Sequence, residues 1–150
     1  MKNPLNDRDF LKALDLVRKK ETYIKVHSLS FDEQIQETIE GKILSGSINI
    51  DGDSSVRRTC SLSMIAEDID LNSYFWTINT KIKIFIGVEN RINPEYEDII
   101  WFKQGIFVLT NFNVTYNTNS YTINLSGQDK MCLLNGTIGG ALPASIDFKQ

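Results

Sequence analysis

The chain holds one histidine, two cysteines and three prolines among its 150 residues. His27, with Cys60 and Cys132 far apart, does not supply the four closely spaced N/S ligands of a structural zinc site. Nor does it leave a Ser/His/Asp or Cys/His set beyond His27 itself. No apolar run reaches the roughly 18–20 residues that span a bilayer. The opening MKNPLNDRDF contains no apolar signal core. An excess of positive charge is also missing. The formal net charge is −3 and the pI is near 5.2, without the basic footprint of a nucleic-acid binder. The pairs Lys19-Lys20 and Arg57-Arg58 are too small to supply one. The expectations are therefore no enzyme, no metal, no cofactor, no nucleic acid and no membrane, with both cysteines as buried thiols.

Hydrophobic residues make up 41% and charged residues 23%, the composition of one folded domain with room for a real core. Residues 6–21 read as a helix. Asn6 is a plausible N-cap, and Phe10, Leu14 and Val17 form an i, i+4, i+7 stripe. From Thr22 the period changes to two, the sign of a strand with one buried face. Strands are expected at Tyr23–Ser28, Ile35–Ile43, Ser45–Ile50, Val56–Met64, Lys81–Val88 and Ile99–Leu109. The last of these is interrupted by Gln104-Gly105, where glycine marks a bulge or bend. Two further strands alternate on Phe112, Val114, Tyr116 and on Tyr121, Ile123, Leu125. Asn117-Thr118-Asn119-Ser120 between them is hairpin-loop chemistry. Leu71, Tyr74, Phe75 and Trp76 read as plugs for the end of a barrel or sandwich.

After Leu125, Met131 and Leu134 lie at helical spacing, with Asp129 in the first turn and Gly136 at the C-terminal end. Residues 137–150 read as an extended tail in which Leu142, Ile146 and Phe148 are free to dock. The expected fold is mainly β: an antiparallel split barrel or sandwich of about six or seven strands, with an N-terminal helix and a short helix near the C-terminus. Its organisation is a helical arm (1–21), a β domain (22–136) and a tail (137–150). Phe10, Leu14, Val17, Leu142, Ile146 and Phe148 are the candidate partner contacts, because ordering the arms on a neighbour would bury them.

Motif by motif, the chemistry is structural. Asp51-Gly52-Asp53 begins like a calcium loop, but Leu62 occupies the bidentate position, so a turn is the reading. Glu95, Glu97 and Asp98 read as a solvated loop. Gly136–Gly140 lacks the Lys-Ser/Thr of a phosphate loop. The alternation points Arg58 to the side of Val56 and Cys60. An inward guanidinium would need a carboxylate or several carbonyls, so the expected arrangement is an edge-strand arginine with its head in water.

Four segments in order, GSINIDG (46–52), SVRRTCSL (55–62), FKQGIFVL (102–109) and INLSGQDKM (123–131), resemble the N-terminal region of baseplate hub and tail proteins of tailed bacteriophages. The G-x-F-x-L strand starting at Gly105 and the L-x-G-x-D-K step from Leu125 to Lys130 carry the resemblance. It implies a split β-barrel in a ring below the tail tube, with Arg57, Arg58, Gly105, Gly127, Asp129 and Lys130 as structural motif residues. It also implies tube, hub, wedge or fibre proteins as partners, and a place in the virion after synthesis in the host cytoplasm. Hub proteins are usually longer, which implies a stand-alone wedge or adaptor relative, or one piece of a split hub. The alternative from another class is a small β module binding host-surface carbohydrate, with Trp76 and Trp101 as its aromatics.

Overall fold

A computed structural model describes residues 11–12, 21–66, 75–90 and 98–134. Six strands follow one another: β1 (Thr22–Leu29), β2 (Ile35–Ile50), β3 (Arg58–Ala66), β4 (Lys81–Glu89), β5 (Ile99–Asn117) and β6 (Ser120–Gln128), then a single 3-10 turn (Lys130–Leu133). Every neighbouring pair is antiparallel. The hydrogen-bonded order β1-β2-β3-β6-β5-β4 closes on itself as a barrel. The expected β-rich antiparallel architecture is therefore present, with six strands.

The eight segments named along the sequence give six strands because two pairs of them are each one long strand. Residues 35–43 and 45–50 are both in β2, and 99–109 and 112–116 are both in β5. Each long strand carries an irregularity at the joint, between Ile43 and Ser45 in β2 and between Leu109 and Asn111 in β5. An extra residue in one strand bends it and breaks the two-residue period, so one strand reads as two in the sequence. The first halves of β2 and β5 complete a sheet with β1 and β4. Their second halves complete another with β3 and β6. The two four-stranded sheets thus share two continuous strands at their corners.

Alternation decides what fills the interior. Ile24 and Val26 of β1, Leu62 and Met64 of β3, Ile82 and Ile84 of β4, Phe107 and Leu109 of β5, and Ile123 and Leu125 of β6 are all buried. Trp76 closes the core and stacks on Phe112, with centroids 5.5 Å apart. Phe75, expected as a second plug, is 43% exposed, and its carbonyl accepts a hydrogen bond from the buried Ser28. Apart from Ser28, the buried face of each of these strands is apolar.

Several local readings hold. The β5–β6 hairpin turns at Thr118-Asn119. Gln104 is skipped in the pairing of β5 with β4, and Gly105 beside it has φ of +142°. Asp51 closes an Asx turn by accepting from the Asp53 amide. Cys60 and Cys132 are buried free thiols, and burial pushes the Cys60 thiol up to about 12. Other readings are corrected. Strand β3 starts at Arg58, leaving Val56 and Arg57 in the preceding loop. Asp129 is the N-cap of the 3-10 turn, one position before the first turn. Of the expected 6–21 helix, Leu11 and Lys12 are helical and Glu21 is not, and the rest lies outside the described residues. Phe10, Leu14, Val17, Leu71, Tyr74, Glu95, Glu97, Gly136, Leu142, Ile146 and Phe148 lie outside the described residues.

Candidate functional site

The motif residues converge on one junction. Arg58 opens β3, and its amide donates to the Asp129 carboxylate at 2.9 Å. The Asp129 amide returns a bond to the Arg58 carbonyl, also at 2.9 Å. The other Asp129 oxygen accepts from the Met131 amide at 2.9 Å and so caps the 3-10 turn. One carboxylate therefore fixes both the start of β3 and the exit of β6. The Arg58 side chain turns inward. Its Nη2 donates to the Gln104 carbonyl, and its guanidinium lies 5.0 Å from the Phe107 ring centroid.

The expected head in water does not hold, because β3 is flanked by β2 and β6 and has no free edge. Gly105 makes room for the guanidinium. A Cβ there would lie 2.6 Å from Nη1. The skipped residue in β5 turns the Gln104 carbonyl out of the ladder toward the arginine, a local job for a bulge. Gly127 is similarly tight, with Val108 O, Cys60 Sγ and Phe107 Cβ all within 3.1 Å of a built Cβ. Arg57 is exposed, and its carbonyl accepts from the Asp51 amide at 2.8 Å. The hydrogen bonds of the junction are those of a structural clamp.

The outer face of the first sheet is charged and aromatic. Lys25 pairs with Glu40 at 2.8 Å and stands 4.3 Å over the Trp101 ring. His27 bonds Thr38 Oγ1 at 2.7 Å and meets Phe85 edge-on at 5.2 Å. Partial burial, then the charges of Lys25 and Lys83, hold His27 below its ordinary 6.5, with Glu40 opposing them. The sign follows directly. Above pH 6.5 His27 is neutral in both folded and unfolded chains. Below it the unfolded chain takes up a proton that the folded one resists, so stability falls with acid. Replacing His27 with Gln is expected to flatten the melting-temperature profile between pH 6.5 and 5, and an unchanged profile would refute the assignment.

The β1–β2 hairpin carries the most exposed large apolar residue among those described. Phe31 is 88% exposed, yet it is held in place. Lys81 Nζ donates to its carbonyl at 2.7 Å and lies 5.0 Å from its ring. Two residues on, Glu33 adopts φ of +63°, a conformation uncommon outside glycine. Glu33 pairs with Lys130, and with Lys81 at 3.7 Å. The Lys130 hydrogen bond is the main cause that holds its carboxyl below the ordinary range. That pair ties the 3-10 turn, with Met131 44% and Leu134 59% exposed, to the hairpin. Lys130, a motif residue, thus serves a different element from its neighbour Asp129. Sequence reading passed over Phe31, since one aromatic between Ser30 and Asp32 gives no periodic signal.

No protein family and no curated protein matches the sequence. Among solved structures, a PdpA-VgrG complex described as lidless aligns at 13% identity over 77% of this chain and 20% of that one, with a TM-score of 0.46. A half-lidded Francisella PdpA-VgrG complex aligns at 13% identity over 78% and 18%, with a TM-score of 0.43. This chain spans about a fifth of the length of those chains.

Proposed function

We propose that this protein is a structural component of a bacteriophage tail baseplate, hub-like or wedge-like, that works through protein–protein contacts in a ring. The carrying observation is the pinned apolar tip: Phe31, 88% exposed, on a hairpin fastened by Lys81 and Lys130. An exposed aromatic on a fastened hairpin has less backbone freedom left to lose on binding, which is how interface anchors gain affinity. The closed barrel supports the same reading. Each described strand already has two partners, so a neighbour has no sheet edge to extend and must use side-chain surfaces. The placement in a phage tail comes from the motif resemblance, whose residues Arg58, Gly105, Asp129 and Lys130 all serve to hold the barrel and its tip.

Phe31→Asp changes a surface residue and is expected to leave the melting temperature within about 2 °C. It is expected to weaken association with neighbouring tail proteins at least tenfold, since an anchor is typically worth ~2 kcal/mol or more. Co-purification with tail components and electron microscopy of the assembled particle would read this. Normal incorporation of the variant into a ring would sink the proposal.

A further inference from the structure

The outer face of the second sheet differs in kind from that of the first. Its residues form two rows that cross all four strands in register. One row is Ser45, Ser63, Asn124 and Asn113; the other is Ser47, Ser61, Ser126 and Asn111. All eight are serine or asparagine, in a chain that is 23% charged. Together they line a trough of about 470 Å³. Beyond the two rows the pattern breaks: Asn49, Thr59 and Gln128 are in register with Val108 on one side, and Thr115 and Thr122 with Ile65 and Lys42 on the other.

Two further observations bear on this face. Among the described residues, no hydrogen bond ties any of these eight side chains to another group of the chain. Their donors and acceptors are left to solvent or to a ligand, whereas nearby Asn117 and Thr122 bond each other at 3.1 Å. The irregularities in β2 and β5 fall immediately before Ser45 and Asn111. The two bends therefore flank the trough and set the direction of its outermost side chains.

We infer that this trough binds a neutral oligosaccharide. The lining selects by chemistry. No cation lines it, so it offers nothing to balance a phosphate, sulfate or carboxylate. The apolar side chains beneath, Leu62 and Leu125, are 5% and 2% exposed, so an apolar ligand has nothing to displace water from. Protein interface cores are rich in aromatic residues, Met and Arg and depleted in Ser, the opposite of this set. A sugar matches it, because each uncharged hydroxyl both donates and accepts, as Ser and the Asn amide do. The volume falls within the range of small-molecule sites. Trp76 and Trp101 are not part of it: Trp76 is buried and Trp101 lies under Lys25 on the first sheet. Recognition without a stacking ring is weak, so affinity in the millimolar range is expected for a single site, raised by repetition in an assembly.

The test is a glycan array probed with the full chain, followed by amide-shift titration with its best neutral hit and with 3′-sialyllactose. At least one neutral oligosaccharide is expected to bind and to move the amides of Ser61, Ser63, Asn124 and Ser126. The variants Asn124→Ala and Ser63→Ala only remove outward atoms. With unchanged melting, each is expected to weaken that binding at least fivefold. Absence of any neutral hit, shifts confined to other strands, preference for the sialylated sugar, or full binding by both variants would each overturn the inference. It is independent of the assembly reading, because Phe31→Asp leaves the trough intact.

Discussion

Asp129→Ala is expected to lower folding stability by about 2–4 kcal/mol. The carboxylate accepts from two backbone amides, those of Arg58 and Met131. Leaving a half-buried donor such as the Arg58 amide unpaired costs about 1–3 kcal/mol, and losing an N-cap costs about 1 kcal/mol more. For a chain of this size that corresponds to a fall in melting temperature of roughly 5–15 °C. Asp129→Asn keeps one acceptor oxygen and is expected to lose about half as much. Thermal and urea denaturation of the two variants would measure the difference. An alanine variant within ~1 kcal/mol of the parent would show that water replaces the carboxylate at the junction.

Gly105→Ala is expected to cost a similar amount by a different route. At φ of +142° a side chain is strained by about 1–3 kcal/mol. The new methyl would also sit 2.6 Å from Arg58 Nη1 and push the guanidinium off the Gln104 carbonyl and the Phe107 ring. A hydrogen bond to a charged donor contributes about 1.5–3 kcal/mol where it is well buried, and less at this half-buried site. The two parts separate in a double-mutant cycle. With Arg58→Ala in the background there is no guanidinium to displace, so Gly105→Ala should then cost only its backbone strain. A coupling of about 1 kcal/mol is expected. Strict additivity would mean that Arg58 and Gly105 do not act as a unit.

Period-two alternation was enough to place a strand in every one of the six observed, because one face of each is buried against a single interior. Turn chemistry was equally readable at Asp51–Asp53 and Asn117–Ser120, and glycine marked the bulge at 105. The failures share a cause. Leu44 and Thr110 break the alternation, so β2 and β5 each read as two strands, yet their continuity is what joins the sheets. Arg58 read as an edge residue because the pairing of β3 with β6 spans about sixty residues of sequence and leaves no local trace. Ser61, Ser63, Asn124 and Ser126 were visible as the polar half of an alternation. Their assembly into rows depends on a register among four strands that no single segment encodes. Phe31 was missed because exposure is a property of the folded surface.

The shared strands have a mechanical consequence. A load applied at the Phe31 hairpin enters β2, and from there it passes into both sheets along covalent backbone instead of across hydrogen bonds or a packed seam. Neither sheet can detach while β2 and β5 stay intact, so the two should open as one cooperative unit, with core amides of β1 and β6 exchanging with solvent at a common rate. In a ring whose neighbours pull on its members, such a barrel passes force through without a weak joint of its own.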